Sequence, residues 1–291
     1  MLHNNDSAMI LQRHYKLPTL SFWTALLSGC NQAERAPNPN AYDWPEQIAY
    51  RVDYVSEAQH DGTPILKYAE TKTTRLLRRD GGYLGAQDSV LKTSERPGEA
   101  LVLVPYTPED TLAFYVKLGA HGELTDISLG CDPAVPACAE ALPSSVALEL
   151  RRIIPRLPIW EAPQGGGWVD TLAFDDASRP GGTRGMVITA YTGRRDTVIG
   201  GQAYWVVGWR SVRNAFRRGA GAAGLAAESP VREDGVTLVD KRRLVPVLSV
   251  WAGAIAAPPQ LQRLGATASG FRGRAYLGGS PFDSSLAGPV P

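Results

Sequence analysis

Leu112-Ala-Phe-Tyr-Val-Lys-Leu118, Gly119-Ala-His-Gly122 and Glu123-Leu-Thr-Asp-Ile-Ser-Leu129 follow one another without a break. Two apolar runs flank a short linker whose glycines supply the positive φ angles of a tight turn, so the stretch predicts a β-hairpin. The same grammar extends outward. Upstream, Ala49-Tyr-Arg-Val-Asp-Tyr-Val55 alternates with period two, the Thr-rich run Leu66–Leu77 follows it, and Glu99-Ala-Leu-Val-Leu-Val-Pro105 predicts a buried strand. Downstream, Val187–Tyr191 predicts a second hairpin that turns near Arg194–Thr197 and returns through Gly200 to Ala203–Val207. Gly235–Asp240, Leu244–Trp251 and Ala266–Phe271 add further strands. With 30 glycines and 22 prolines in 291 residues, the chain is built for turns rather than long helices.

One helix interrupts this pattern. After Pro143, Ser144 or Ser145 can cap it; Val146, Leu150, Ile153 and Ile154 share one face, and Pro155 stops it. Glu149, Arg151 and Arg152 lie on the other side, which is expected to meet solvent. No alternation of strand and long helix is visible, which excludes a doubly wound parallel sheet. The expected fold is mainly β: a curved antiparallel sheet or incomplete β-barrel, with one short helix covering its concave side.

The N-terminus carries Arg13, His14 and Lys16, then an apolar run from Leu17 that closes on Leu27-Ser28-Gly29-Cys30. Leu17 to Gly29 is 13 residues, against the ~20 a membrane-spanning helix needs. Leu-Ser-Gly-Cys resembles the lipobox of bacterial lipoproteins. The resemblance implies that residues 1–29 are a signal peptide, read from Met1 or Met9, and that Cys30 accepts a diacylglyceryl group and anchors the chain to a membrane. Residues 30–45 are polar and proline-bearing and read as a tether; 46–276 read as a single antiparallel β-rich domain, and 277–291 as a disordered tail. In the enterobacterial sorting pattern, Asn31 points to the outer membrane, facing the periplasm. With Cys30 lipidated, Cys131 and Cys138 remain, eight residues end to end in Cys-Asp-Pro-Ala-Val-Pro-Ala-Cys. Export favours their pairing as a disulfide worth about 2–3 kcal/mol. A metal site lacks further ligands, since only His60 and His121 follow Cys30 and they are far apart.

Charge excludes one class of partner. Removing residues 1–29 takes away Arg13, Lys16 and Asp6 and leaves 28 basic and 28 acidic residues, so nothing global draws the chain to nucleic acid. Gly219-Ala-Gly221-Ala-Ala-Gly224 has the spacing of a dinucleotide fingerprint, with Asp240 following 21 residues after Gly219. However, Asn214–Arg218 separates it from the preceding strand, and Pro230 and Gly235 leave little room for the required helix. A glycine-rich loop between antiparallel strands is expected instead. Arg210, Arg213, Arg217 and Arg218 form a basic cluster, expected on a solvated strand edge.

No base stands beside a nucleophile, because His60 and His121 both sit in turns and no Gly-x-Ser-x-Gly elbow occurs. Glu161, Asp170, Asp175 and Asp176 supply carboxylates, but nothing singles out a catalytic pair. The pentapeptide Asp-Thr-Leu-Ala-Phe occurs at 110–114 and again at 170–174. The reading is therefore non-enzymatic, with no cofactor and no metal. Anchor, tether, long meander and covering helix together resemble the LolA/LolB type of half-barrel envelope lipoprotein, over residues 46–276. That resemblance implies a curved sheet that binds an apolar ligand or acyl chain. The alternative is a structural or interaction lipoprotein with a filled core and no ligand; nothing in the sequence names a protein partner.

Overall fold

The computed structural model describes residues 41–104, 111–130, 142–158, 166–176, 183–218, 225–257 and 259–278. Cys30, Cys131, Cys138, the segment 219–224, Glu161 and the tail from residue 279 lie outside the described residues. The strands run β1 Gln47–His60, β2 Thr63–Arg79, β3 Gly82–Glu95, β4 Val102–Val104, β5 Thr111–Leu118 and β6 Leu124–Leu129. Helix α1 (Pro143–Ile153) follows, then β7 Trp168–Asp175, β8 Thr183–Ile199, β9 Gln202–Arg218, β10 Leu225–Ala227, β11 Val231–Asp240 and β12 Val245–Ala256. A single turn, α2 (Pro259–Gln262), precedes β13 Ala268–Leu277.

All strands join one antiparallel sheet in the order β6-β5-β3-β2-β1-β13-β12-β11-β9-β8-β7, with β4 on β3 and β10 on β9. The sheet is not closed into a barrel. Laid flat at ~4.8 Å per strand, its two edges would stand roughly 48 Å apart. Instead, Arg156 reaches both Glu123, at the start of β6, and Asp170, on β7, within 3.5 Å. The sheet therefore curls until its edges meet the same segment of chain. The expected antiparallel, incompletely closed β architecture with one covering helix is what forms.

Inner faces follow the alternation. Ile48, Tyr50 and Val52 on β1, Leu76 on β2, Phe114 and Val116 on β5, Val207 and Trp209 on β9, and Val247 and Trp251 on β12 are buried in a single cluster. Several glycines lie inside strands rather than turns. Gly85, Gly235, Gly253 and Gly273 pair in register with Phe114, Trp209, Phe271 and Trp251. A Cβ at any of them would overlap the ring of its partner. Each aromatic ring thus lies flat over the neighbouring backbone, and large side chains fit inside a strongly curved sheet.

The β5–β6 hairpin forms as expected, with Gly122 at φ +83°. The second hairpin is longer than expected. Its turn is Gly200-Gly201, with φ +58° and +81°, and the expected turn near 194–197 lies inside β8 beside a bulge between Tyr191 and Arg194. Two consecutive positive φ angles match the twist of the flanking strands, and the glycine pair adopts them without strain. Asp61-Gly62 and Asp80-Gly81 turn the same way. The run at Leu101–Leu103 is not buried: β4 borders only the end of β3, and Leu103 is 64% exposed. A short apolar run forms a strand wherever an edge accepts it, whether or not anything covers it.

Helix α1 buries Val146, Leu150 and Ile153, and Ile154 just beyond it, at 1% exposure or less. Each contributes about 1.5–3 kcal/mol. Neither serine caps it. Leu142 is the N-cap residue, Pro143 opens the first turn, and the Ser144 N–H donates to Asp176 Oδ2 at 3.1 Å. A carboxylate from beyond the end of β7 thus meets the positive end of the helix dipole. Pro155 does end the helix, with Ile154 extended. The polar face does not meet solvent either, since Glu149 and Arg151 are both buried.

Candidate functional site

The inner face around α1 gathers the buried charged residues Glu149, Arg151 and Glu233. At the seam between the sheet edges, Arg151 donates to Gly122 O at 3.0 Å and pairs with Asp170 at 3.3 Å. Arg156 bridges Glu123 at 3.2 Å and Asp170 at 3.5 Å. Backbone groups complete the clasp. Trp168 Nε1 donates to Arg156 O, the Arg156 N–H donates to the Tyr191 hydroxyl, Leu157 N–H donates to His121 O, and the Tyr42 hydroxyl donates to Pro155 O. Burial, the largest influence, holds both Tyr42 and Tyr191 above the ordinary tyrosine pKa, so these hydroxyls keep their protons.

Two further ion pairs hold the flanks of α1. On one side Glu149 accepts from Lys72 on β2, from Gln87 on β3 at 2.8 Å and from the Thr74 hydroxyl at 3.3 Å. Burial works against the charge of Lys72, but Glu149 and Glu70 outweigh it and raise its pKa above the ordinary lysine value. On the other side Arg152 meets Glu233 on β11 through two bonds, Nε to Oε2 at 2.8 Å and Nη2 to Oε1 at 2.6 Å. Here too burial opposes the charge and Glu233 prevails, raising the guanidinium pKa. Arg152 also lies over the Phe271 ring, 5.5 Å from its centre, and Tyr54 stacks on the other side of that cluster at 6.1 Å from Phe271.

Between α1 and strands β8, β9 and β11 lies a small cleft of ≈ 20 Å³, bordered by Leu148, Arg151, Arg152, Val187, Thr189, Trp209, Ser211, Arg213 and Glu233. Thr189, Ser211 and Glu233 occupy one row across three neighbouring strands, as register partners. A larger recess of ≈ 570 Å³ lies where β1 begins and β13 ends, between Asp43, Gln47, Ala49, Arg243, Val245 and Leu277.

The structure separates residues that the sequence groups together. Arg210 points outward and pairs with Asp234 at 2.6 Å, whereas Arg213, on the opposite face of β9, borders the cleft. β9 lies between β11 and β8, so the basic cluster does not sit on a sheet edge. The acids do not converge: Asp170 belongs to the seam, Asp175 pairs with Arg184 at 2.6 Å, and Asp176 caps α1. His60 bonds Gly265 O at the far tip of β1, and the turn at His121 supports the seam through its backbone. The glycine-rich segment 219–224 lies outside the described residues, but the strands on either side of it, β9 and β10, pair antiparallel. Among the described residues no group of three or more His, Cys, Asp or Glu is placed to hold a metal, and no helix is long and apolar enough to cross a membrane. Sequence reasoning missed Thr189, Ser211 and Glu149. The signal was present as polar residues at inward positions, between Val187 and Tyr191 and beside Trp209.

No protein-family model matches the chain, and no curated protein matches it significantly.

Proposed function

We propose that the chain is a non-enzymatic cell-envelope lipoprotein that binds an apolar ligand or acyl chain on the inner face of its open sheet. In this reading residues 1–29 direct export, Cys30 carries the lipid, and Asn31 assigns the protein to the outer membrane on its periplasmic side. Cys131 and Cys138 form a disulfide there.

One observation carries the binding reading. Towards the ends of the strands away from the filled core, the inner face presents three half-buried aromatic side chains, Tyr54, Tyr68 and Phe271, beside their polar register partners Ser56 and Glu70. Tyr54 and Phe271 stack, forming a surface suited to an aliphatic chain. The expected result is saturable binding of an acyl-chain fluorophore to the purified full chain held in amphipol, weakened several-fold in Phe271→Ala. A folded protein that binds no probe overturns this in favour of a second reading, a structural lipoprotein with a filled core. That second reading is favoured by the packing around α1, where Leu150, Ile153 and Ile154 have no exposed surface to offer.

A further inference from the structure

We propose that the end of the sheet at which β1 begins is a membrane-docking surface. Its basic turns rest on the headgroups of an anionic phospholipid bilayer, and the tip of the β8–β9 hairpin sinks among them. The proposal rests on the envelope-lipoprotein reading above and names the surface that such a protein turns to its membrane.

The antiparallel order brings four turns to this end, and the segment that leads into β1 stitches three of them together. The Tyr42 N–H donates to Ala120 O in the β5–β6 turn at 2.6 Å, and the Asp43 N–H donates to Leu244 O in the β11–β12 turn at 3.1 Å. Beside the β2–β3 turn, the Arg78 N–H donates to Glu46 O at 2.8 Å. The fourth, the β8–β9 hairpin, joins through Lys241, whose N–H donates to Ala203 O at 3.2 Å and whose ammonium pairs with Asp196 at 3.1 Å.

This hairpin projects beyond its neighbours. β7 starts at Trp168, opposite Tyr191, and β11 stops at Asp240, opposite Tyr204, so residues 198–202 have no further strand on either side. Val198 and Ile199 stand at the tip, 68% and 40% exposed, on opposite faces because side chains along a strand alternate. Neither belongs to the core cluster. An apolar pair on a projecting tip suits a point that enters a layer less polar than water.

Charge and reach identify that layer. The chain after residue 29 is neutral, but residues 41–46, 78–81, 119–122, 194–203 and 240–244 together hold seven Lys and Arg against five Asp and Glu. Three of the acids are matched: Glu46 with Arg78 at 3.5 Å, Asp196 with Lys241, and buried Asp240 with Arg243 at 3.9 Å. Arg79, Arg195 and Arg242, one beside each of three turns, are exposed and form no ion pair among the described residues. Guanidinium groups placed this way suit the phosphates of lipid headgroups. Cys30 lies eleven residues before Ala41, a reach of at most ~40 Å. β1 then runs away from this end for 14 residues, roughly 45 Å. A bilayer that holds a lipid on Cys30 therefore meets this end of the sheet first.

The test measures hydrogen–deuterium exchange in the full chain on vesicles of phosphatidylcholine, alone or mixed with phosphatidylglycerol. The amides of Val198–Gln202 and Arg242–Arg243 should exchange roughly fivefold or more slowly on the anionic vesicles, the effect of about one basic side chain near such a surface. That protection should vanish in about 0.5 M NaCl, where charges are screened within a few ångströms. It should vanish too in the triple variant Arg79→Ala, Arg195→Ala, Arg242→Ala, while unaltered exchange in β1 and β12 shows that this variant folds. Val198→Ser, Ile199→Ser should weaken it several-fold. Equal exchange on both kinds of vesicle, with the chain floating on each, overturns the docking surface and leaves the lipoprotein reading standing. Protection that grows with protein concentration in the absence of vesicles assigns the hairpin to a second copy of the chain and also overturns the docking surface. Protection on anionic vesicles in a chain whose mass shows no lipid on Cys30 supports the docking surface and overturns the anchor.

Discussion

Gly235 and Gly273 occupy mid-strand positions where a sheet normally places a branched side chain. Trp209 and Trp251 explain them, since each indole lies over the backbone of its register partner and a methyl group there would overlap the ring. The rings are themselves buried in the core and have nowhere to move. Gly235→Ala and Gly273→Ala should therefore each destabilise the protein by about 1–3 kcal/mol, the cost of overpacking. Gly278 is the control. It is exposed, has no positive φ, and an added Cβ would meet Ala49 only at ordinary contact distance, 3.4 Å. Gly278→Ala should change stability by less than about 0.5 kcal/mol in urea denaturation. Equal losses at all three positions would show that glycine flexibility, not ring contact, governs these sites. Sequence alone marks turn glycines well, as Asp61-Gly62 and Asp80-Gly81 illustrate, because the φ requirement is local. A glycine required by a ring from a strand many residues away carries no local signature.

At the scale of the element, α1 is held by its polar face as much as by its apolar one. Glu149 and Arg152 reach opposite flanks of the sheet, to Lys72 and to Glu233. The side chain of Lys72 is 20% exposed and that of Glu149 10%, so removing one partner strands a poorly solvated charge. Glu149→Ala should cost about 3 kcal/mol at neutral pH. The pH dependence has a definite sign. The Lys72 pKa is raised above its ordinary value of 10.5, so the pair's contribution is complete below that value and disappears as pH rises through the folded pKa. The gap between wild type and Glu149→Ala should therefore be smaller at a pH above the raised folded pKa of Lys72 than at neutral pH, because Lys72 is then neutral in both. A gap of constant size in urea denaturation at both pH values would show that packing, not the ion pair, is lost. The helix and its stop at Pro155 were legible from apolar spacing. Its cap was not, because Asp176 lies 32 residues beyond Ser144 and reaches it only through the fold.

At the scale of the whole molecule, the sheet bends until both its edges meet the segment 151–157, without closing into a barrel. The location proposed for this domain in the cell rests on a residue outside it. Cys30→Ser should abolish incorporation of labelled palmitate and leave the chain in the inner membrane with its signal segment uncleaved. Unchanged labelling would remove the basis for assigning the protein to the envelope. What the amino-acid sequence by itself determined is local: period-two strands, the turns at Gly119–Gly122, the buried face of α1, and an antiparallel rather than parallel sheet. These follow from backbone sterics and from alternation, which act over a few residues. The tertiary structure decided which polar residues face inward together. Thr189, Ser211 and Glu233 form one row only because β8, β9 and β11 pair in that register. Arg210 and Arg213, neighbours in sequence, stand on opposite faces because side chains along a strand alternate. Long-range register is set by the burial of a whole face at once, and no single segment contains that information.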